Sequence, residues 1–355
     1  MTNLEKYLSL LETKNYDGLL LTSPVSRKYA AEFNIDEGVA IVTREGCRYF
    51  TDSRYIESAQ KNLKGFDVRM VEKGNGYHKQ LNAAIEDFGV RRLGFEDARM
   101  TVAEYRENEQ KLHAVLVPAQ RDLDAFRAVK EEYELERMRK AQAITDRAFS
   151  EVLGRIRPGM TEKELAAELI YCLYKNGAEG LSFQPIVVAG PNSSMPHGVP
   201  GDRRLQAGDF LTMDFGVVYQ DYCSDMTRTV ALGYATDEMK TVYETVRKAQ
   251  LAGIAATRAG VTGQAIDGAA RKVIEDAGYG AYFGHGYGHS LGLEIHEAPY
   301  CNPTNDQPIP AGAVCSAEPG IYLPGKFGVR IEDCVIVRPD GVESLAKSPK
   351  ELIIL

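Results

Sequence analysis

A faint internal repeat constrains this 355-residue chain more than any other feature. Met138, Ala148, Arg157, Gly159, Thr161 and Gly177 recur 101 residues later as Met239, Ala249, Arg258, Gly260, Thr262 and Gly278. Apolar partners keep the same offset: Leu153 with Ile254, Leu165 with Ile266, and Leu173 with Ile274. The shared unit reads as a helix stopped by glycine, a threonine cap, a second helix and another glycine stop. Two such helix pairs, each feeding a sheet, predict a pseudo-twofold domain with a cleft between its halves.

Upstream of the repeat, helical patterns alternate with short apolar runs. Leu4, Leu8 and Leu11 mark one side of a first helix, and the strand-like run 18–21 comes next. Residues 39–42 pair with 48–50 across a turn at Glu45-Gly46. Helices are expected over 55–63, 79–88 and 103–112, the last opened by Thr101 and Glu104 as a capping box, with strands at 68–71, 93–95 and 115–117 between them. This alternation predicts a small α/β domain over residues 1–122. A charged stretch from 124 to 154 then opens the second domain, residues 123–355, with Leu135, Met138, Ala141, Ile144, Ala148 and Val152 at helical spacing. The expected class is α/β and α+β, a small α/β domain ahead of the pseudo-twofold one.

Charge narrows the partners. With 42 Lys+Arg against 50 Asp+Glu, the net charge is −8, and no basic run marks a nucleic-acid or anionic-membrane binder. No apolar stretch reaches the roughly 18 residues that span a bilayer, and the first residues show no basic segment with an apolar core. The reading is cytoplasmic. Cys47, Cys172, Cys223, Cys301, Cys315 and Cys334 lack CxxC spacing and are read as reduced, mostly buried thiols.

Carboxylates and histidines gather between residues 197 and 333. Residues 210–225 read as two strand runs about a polar turn, and with Tyr219-Gln220 as the loop Asp214 lies directly opposite Asp225, about 5 Å away at Cβ. Two like charges so placed need a cation or a proton between them. Glu318 ends a strand before the turn at Pro319-Gly320, and residues 329–337 read as one strand that aims Arg330 and Glu332 to one face. Alternate glycines from Gly284 to Gly292 make a regular helix costly, so His285 and His289 are not a helical i,i+4 pair. Taken singly, each acid is an ordinary strand or turn residue and each histidine a packed or surface one. Together they point to a metal.

The combination resembles a known family. Its parts are Met213-Asp214-Phe215-Gly216, Ser224-Asp225-Met226-Thr227-Arg228-Thr229, His285-Gly286-Tyr287-Gly288-His289 with Gly292-Leu293-Glu294-Ile295-His296-Glu297, Glu318-Pro319-Gly320, and Arg330-Ile331-Glu332-Asp333. In order and spacing these are similar to the pita-bread metallopeptidases, above all the Xaa-Pro aminopeptidases and Xaa-Pro dipeptidases (prolidases). Thr51-Asp52-Ser53-Arg54-Tyr55 also resembles the creatinase/prolidase amino-terminal domain of that branch. The resemblance implies a pita-bread creatinase/aminopeptidase fold for the second domain.

The resemblance also implies roles. Asp214 would hold one metal, Asp225 and Glu332 would bridge two, and His289 and Glu318 would complete the second site. Four carboxylates balance two divalent ions, and one imidazole among oxygens favours Mn²⁺, with Co²⁺, Zn²⁺ or Fe²⁺ also compatible. Such a pair activates a shared hydroxide and polarises the scissile carbonyl. His197 and His296 would stabilise the tetrahedral intermediate and the leaving imino nitrogen, His285 would line the pocket beyond the scissile bond, and Glu318 would shuttle the proton. Arg330 would orient Asp214. One departure stands out: Cys315-Ser316-Ala317 precedes Glu318 where the family more often has Thr and a larger aliphatic residue.

The expected activity is therefore release of an amino-terminal residue that precedes proline. The short chain leans towards the aminopeptidase, with the dipeptidase as the alternative. A metal-free creatinase-like C–N hydrolase is more remote, because all five ligand positions are kept, and a non-catalytic peptide-binding scaffold should have lost some of them. A homodimer is implied by the resemblance alone.

Overall fold

In the computed structural model, which describes residues 1–72 and 76–355, the alternation upstream of the repeat becomes a single mixed sheet with helices. Its elements are α1 (Asn3–Thr13), β1 (Gly18–Leu21), α2 (Pro24–Ala31), β2 (Val39–Thr43), β3 (Cys47–Thr51), α3 (Ile56–Asn62), β4 (Asp67–Met70), α4 (His78–Asp87), β5 (Arg92–Phe95), α5 (Val102–Lys111), β6 (Val115–Pro118) and α6 (Gln120–Ala128). The strands order as β4-β3-β2-β1-β5-β6. β2 pairs antiparallel with β3 as expected, and β1, β5 and β6 run parallel. Apolar runs such as Gly18–Leu21 are buried on both faces, which is why they show no alternation. Thr101 and Glu104 form the expected box, with the Glu104 amide donating to Thr101 Oγ1 and the Thr101 amide to Glu104 Oε2. The α1 stripe differs from expectation: Tyr7, Leu10 and Leu11 are buried, whereas Leu4 and Leu8 are only half-buried. Tyr7 turns the helix, because its ring packs 5.2 Å from that of Tyr29.

The chain divides into compact units Met1–Phe126 and Arg127–Leu355. The second contains α7 (Glu132–Leu153), α8 (Glu162–Lys175), β7 (Gly180–Leu181), β8 (Ile186–Ala189), β9 (Phe210–Phe215), β10 (Val217–Tyr219), β11 (Tyr222–Cys223), β12 (Met226–Ala231), α9 (Asp237–Ala256), α10 (Gly263–Asp276), β13 (Gly288–Ser290), β14 (Glu297–Cys301), β15 (Val314–Ala317), β16 (Gly320–Leu323), β17 (Phe327–Arg330), β18 (Asp333–Arg338) and β19 (Gly341–Ser344). The repeat is visible in its details. Thr161 and Thr262 cap α8 and α10 by accepting from the amides of Glu164 and Ala265, and each makes an isolated bridge, to Arg204 and Pro308 respectively. Gly177 and Gly278 lie just past those helices with φ of 103° and 84°, the left-handed exit that glycine allows. One apolar core joins α7 and α8 to β8, β9 and β12; a second joins α9 and α10 to β14, β15 and β17.

Three sequence-based expectations are corrected by the structure. The helix read over 124–154 is two, α6 and α7, broken where the Lys130 amide donates to the Gly312 carbonyl and the Glu131 amide to Glu134 Oε2. The strand read over 329–337 is also two. β17 pairs with β16 and β18 with β15, and Ile331-Glu332 turns the chain between sheets. The hairpin loop is Gln220-Asp221, not Tyr219-Gln220. Both loop residues have positive φ, 45° and 72°, so Tyr219 pairs with Tyr222 and Asp214 with Thr227. Asp225 therefore sits two residues from the position opposite Asp214, and because side chains alternate with a period of two it still shares that face.

Candidate metal centre

Gly216 makes the approach of the first two acids feasible. A Cβ there would lie 1.9 Å from the Ser224 carbonyl oxygen, so only glycine lets the strand bearing Asp214 pack against the segment bearing Asp225. Gly288 does the same on the other side, where a Cβ would meet the Ser316 carbonyl at 2.0 Å. Asp214 projects from β9, His289 from β13, Glu318 from just beyond β15, and Glu332 from the β17–β18 link. One cleft of about 540 Å³ is lined by all nine residues singled out in the sequence: His197, Asp214, Asp225, His285, His289, His296, Glu318, Arg330 and Glu332.

Within it, ligand atoms of Asp225, His289 and Glu332 lie within 4.8 Å of one another. His289 Nε2 is 3.7 Å from Asp225 Oδ2 and 3.3 Å from Glu318 Oε1. The tautomer is set by its other nitrogen. Nδ1 lies 3.1 Å from the Ser290 carbonyl, which can only accept, so Nδ1 carries the proton and Nε2 turns a bare lone pair towards the carboxylates. Burial holds this imidazole below its usual pKa and hence neutral.

Arg330 organises the other side. Its Nη2 donates to Asp214 Oδ2 at 2.7 Å, its Nε to Thr227 Oγ1 at 3.0 Å, and Thr227 in turn donates to Glu332 Oε2 at 2.7 Å. Its Nη1 reaches the Pro196 carbonyl and the Tyr322 hydroxyl, at 3.2 and 2.9 Å. Tyr322 passes the chain on to His285 Nε2 at 2.9 Å, while His285 Nδ1 faces the Gly286 carbonyl. The same reasoning puts the proton of His285 on Nδ1, and burial depresses its pKa too. His296 places its ring 4.4 Å from that of His289, nearly edge-on.

The donor set fits cations. Asp214 Oδ1, Asp225 Oδ1 and Glu332 Oε1 are buried without a hydrogen-bond partner, a cost of several kcal/mol unless something positive compensates them. Burial, and then mutual repulsion with Glu332 and Asp214, drives the Asp225 carboxyl far above its usual pKa; burial with Glu318 and Asp214 does the same to Glu332. Glu318 is raised chiefly by burial. Inward-facing acids with unfilled lone pairs and a bare imidazole nitrogen suit divalent ions.

Sequence reasoning missed three contributors. Tyr322 had a signal in Glu318-Pro319-Gly320, since a Cβ on Gly320 would lie 2.4 Å from the Tyr322 oxygen that folds over it. Thr227 lies inside the Ser224–Thr229 motif, where nothing in the sequence sets it apart from its neighbours. Ser316, part of the departure from the family pattern, accepts from the His289 backbone amide and donates to Glu318 Oε1, both at 3.0 Å, so it ties the main chain at His289 to the Glu318 carboxylate.

Comparisons with known proteins identify the family. Metallopeptidase family M24 matches residues 136–339, and the creatinase/prolidase N-terminal domain matches residues 3–129. An Xaa-Pro dipeptidase from Bacillus anthracis superposes with a TM-score of 0.95 at 39% identity over 99% of each chain. An X-Pro aminopeptidase from Thermotoga maritima gives 0.94 at 35% identity over 100% of each. The Xaa-Pro dipeptidase of Pyrococcus horikoshii is 31% identical over 351 residues, 98% of both chains. The chain belongs to metallopeptidase family M24, a metallo-exopeptidase whose pita-bread domain comes after an amino-terminal domain of the creatinase/prolidase kind and which acts on peptides with divalent metal.

Proposed function

We propose that the enzyme hydrolyses the bond between an amino-terminal residue and a following proline, as an Xaa-Pro aminopeptidase. The observation that carries this reading is the convergence of Asp214, Asp225, His289, Glu318 and Glu332 on one cleft, with His197 and His296 at the same cleft. Those five residues would hold two divalent ions, Mn²⁺ favoured, which would supply Lewis acidity and activate water when bound. His197 and His296 are assigned hydrogen bonds to the developing oxyanion and to the departing imino nitrogen. Glu318, with Oε1 held by Ser316, is assigned proton transfer from water to that nitrogen. Arg330 holds Asp214, and His285 is read as a wall of the pocket for the proline and the residues beyond it.

Charge supports the aminopeptidase over the dipeptidase. A dipeptide carries a carboxylate directly after the proline, and enclosing it calls for a cation. Among the described residues lining the cleft, the only Lys or Arg is Arg330, already bonded to Asp214, Thr227, Tyr322 and the Pro196 carbonyl. A longer peptide presents an uncharged amide there. The relatives carry both names, which keeps the dipeptidase as the second reading.

The test is release of the first residue from matched Xaa-Pro and Xaa-Pro-Xaa peptides by chelator-treated protein, with and without Mn²⁺. Metal-dependent cleavage with the tripeptide faster is expected. A faster dipeptide would select the prolidase, and cleavage of neither, with Co²⁺ and Zn²⁺ also tried, would turn the reading to a metal-free C–N hydrolase or a scaffold. The domain division at residues 1–122 and 123–355, a homodimer and a cytoplasmic location belong to the same proposal. No helix among the described residues is long and apolar enough to cross a membrane.

A further inference from the structure

His197 is itself exposed and enters the cleft from a stretch of mixed burial, so its place depends on how its backbone is held. Both ends of that stretch meet one side chain. Glu162, the first residue of α8, is fully buried. Its Oε1 accepts from the Ala189 amide at 2.8 Å and the Asn192 side-chain amide at 3.0 Å. Its Oε2 accepts from the Gly201 amide at 2.9 Å and lies 3.3 Å from the same Asn192 nitrogen. A carboxylate is expensive to bury unless its lone pairs are filled, and here, among the described residues, they are filled by donors at positions 189, 192 and 201. Between the clamped ends, Arg330 Nη1 holds the Pro196 carbonyl at 3.2 Å and the Gly198 amide bonds the Met195 carbonyl at 3.0 Å.

The second half of the repeat supplies a comparison. The counterpart of Glu162 is Gly263, the first residue of α10, where a Cβ would lie 2.2 Å from the Tyr300 carbonyl oxygen. At the same offset the stretch 189–201 corresponds to 290–302, which carries His296. The clamping carboxylate is thus particular to the half that carries His197, and the histidine of the other half, His296, has no carboxylate at the matching place.

We propose that Glu162 is a positioning residue: its carboxylate ties residues 189 to 201 into one conformation and thereby sets His197 for the reaction. This rests on the role given to His197 above. It predicts an effect on turnover separable from metal binding and from folding.

Glu162→Gln keeps the shape but turns an NH₂ group against a backbone amide. Expected are amide exchange across 190–201 faster by about tenfold or more, metal content equal to that of the parent, and kcat on an Xaa-Pro-Xaa peptide lower by roughly 10- to 100-fold, with KM within about threefold. In a His197→Ala background the same substitution should change kcat by less than about twofold, because the two act as one unit. Losses that multiply would overturn the proposal, and so would unchanged exchange in 190–201. Asn192→Ala removes one donor and keeps the carboxylate, so it gives the exchange readout at smaller amplitude if Glu162→Gln does not fold. Unchanged exchange there overturns the proposal equally. Full kcat in His197→Ala alone would instead remove the role of His197, and with it the catalytic half of the inference, while exchange still decides the clamp.

Discussion

Glu332 and Asp333 are neighbours with opposite electrostatics. Asp333 is buried, yet Arg228 Nη2 at 2.7 Å and Lys350 Nζ at 2.5 Å overcome the burial and hold its carboxyl below the usual range. Glu332, equally buried, faces the carboxylates of Glu318 and Asp214 instead, and burial with their repulsion drives its carboxyl the other way. The sequence separates the two acids by alternation along one strand; the sheet change at Ile331-Glu332, which no local pattern announced, is what parts them in the structure. The acids and histidines proposed as ligands were singled out through the motifs that carry the resemblance, and the structure brings them to one cleft with close backbone approaches at Gly216 and Gly288 that glycine alone permits. Thr227, Ser316 and Tyr322 were not, since a hydroxyl becomes informative only when its partner is known. The repulsion gives a prediction in two parts. Asp225→Asn should lower bound metal and turnover together, read by metal analysis and peptide release. After chelation it should melt above the equally stripped parent, because a buried like charge is gone; full activity would sink the dinuclear site.

At the scale of elements, helices were read well and the ends of strands poorly. Threonine caps and glycine exits are chemical signals at fixed positions, and Thr101, Thr161 and Thr262 all cap as expected. The hairpin at Gln220-Asp221 was displaced because neither residue is the Asn or Gly that usually marks positive φ. How elements are held together was not legible at all. Glu343 on β19 takes Arg139 of α7 through Nε at 2.8 Å and Arg338 of β18 through Nη2 at 2.5 Å. These guanidinium groups pull its pKa down to about 2, from 4.5. A depressed carboxyl stabilises the fold above its unfolded pKa and stops doing so as pH falls through its folded one. Glu343→Gln should therefore melt below the parent at neutral pH, by about 1 kcal/mol for so exposed a pair. The difference should shrink as pH drops from 4.5 towards 2. A gap that persists at the acid end would mean packing, not charge, was lost.

Across the whole molecule, the repeat and the alternation of helix and strand were enough to place two units and a pseudo-twofold core, because those patterns are set by burial over many residues. The distribution of cysteine has a different use. All six thiols are free and buried, one of them, Cys47, in the first unit and five in the second. A thiol-reactive dye has nothing to bind while both units stay closed, so its uptake is a clock for opening, and the stoichiometry says which part opened. Mild denaturant should yield either one labelled cysteine or five before it yields six, resolved by mass spectrometry of the intact chain. Six at once would mean that the two units open as one.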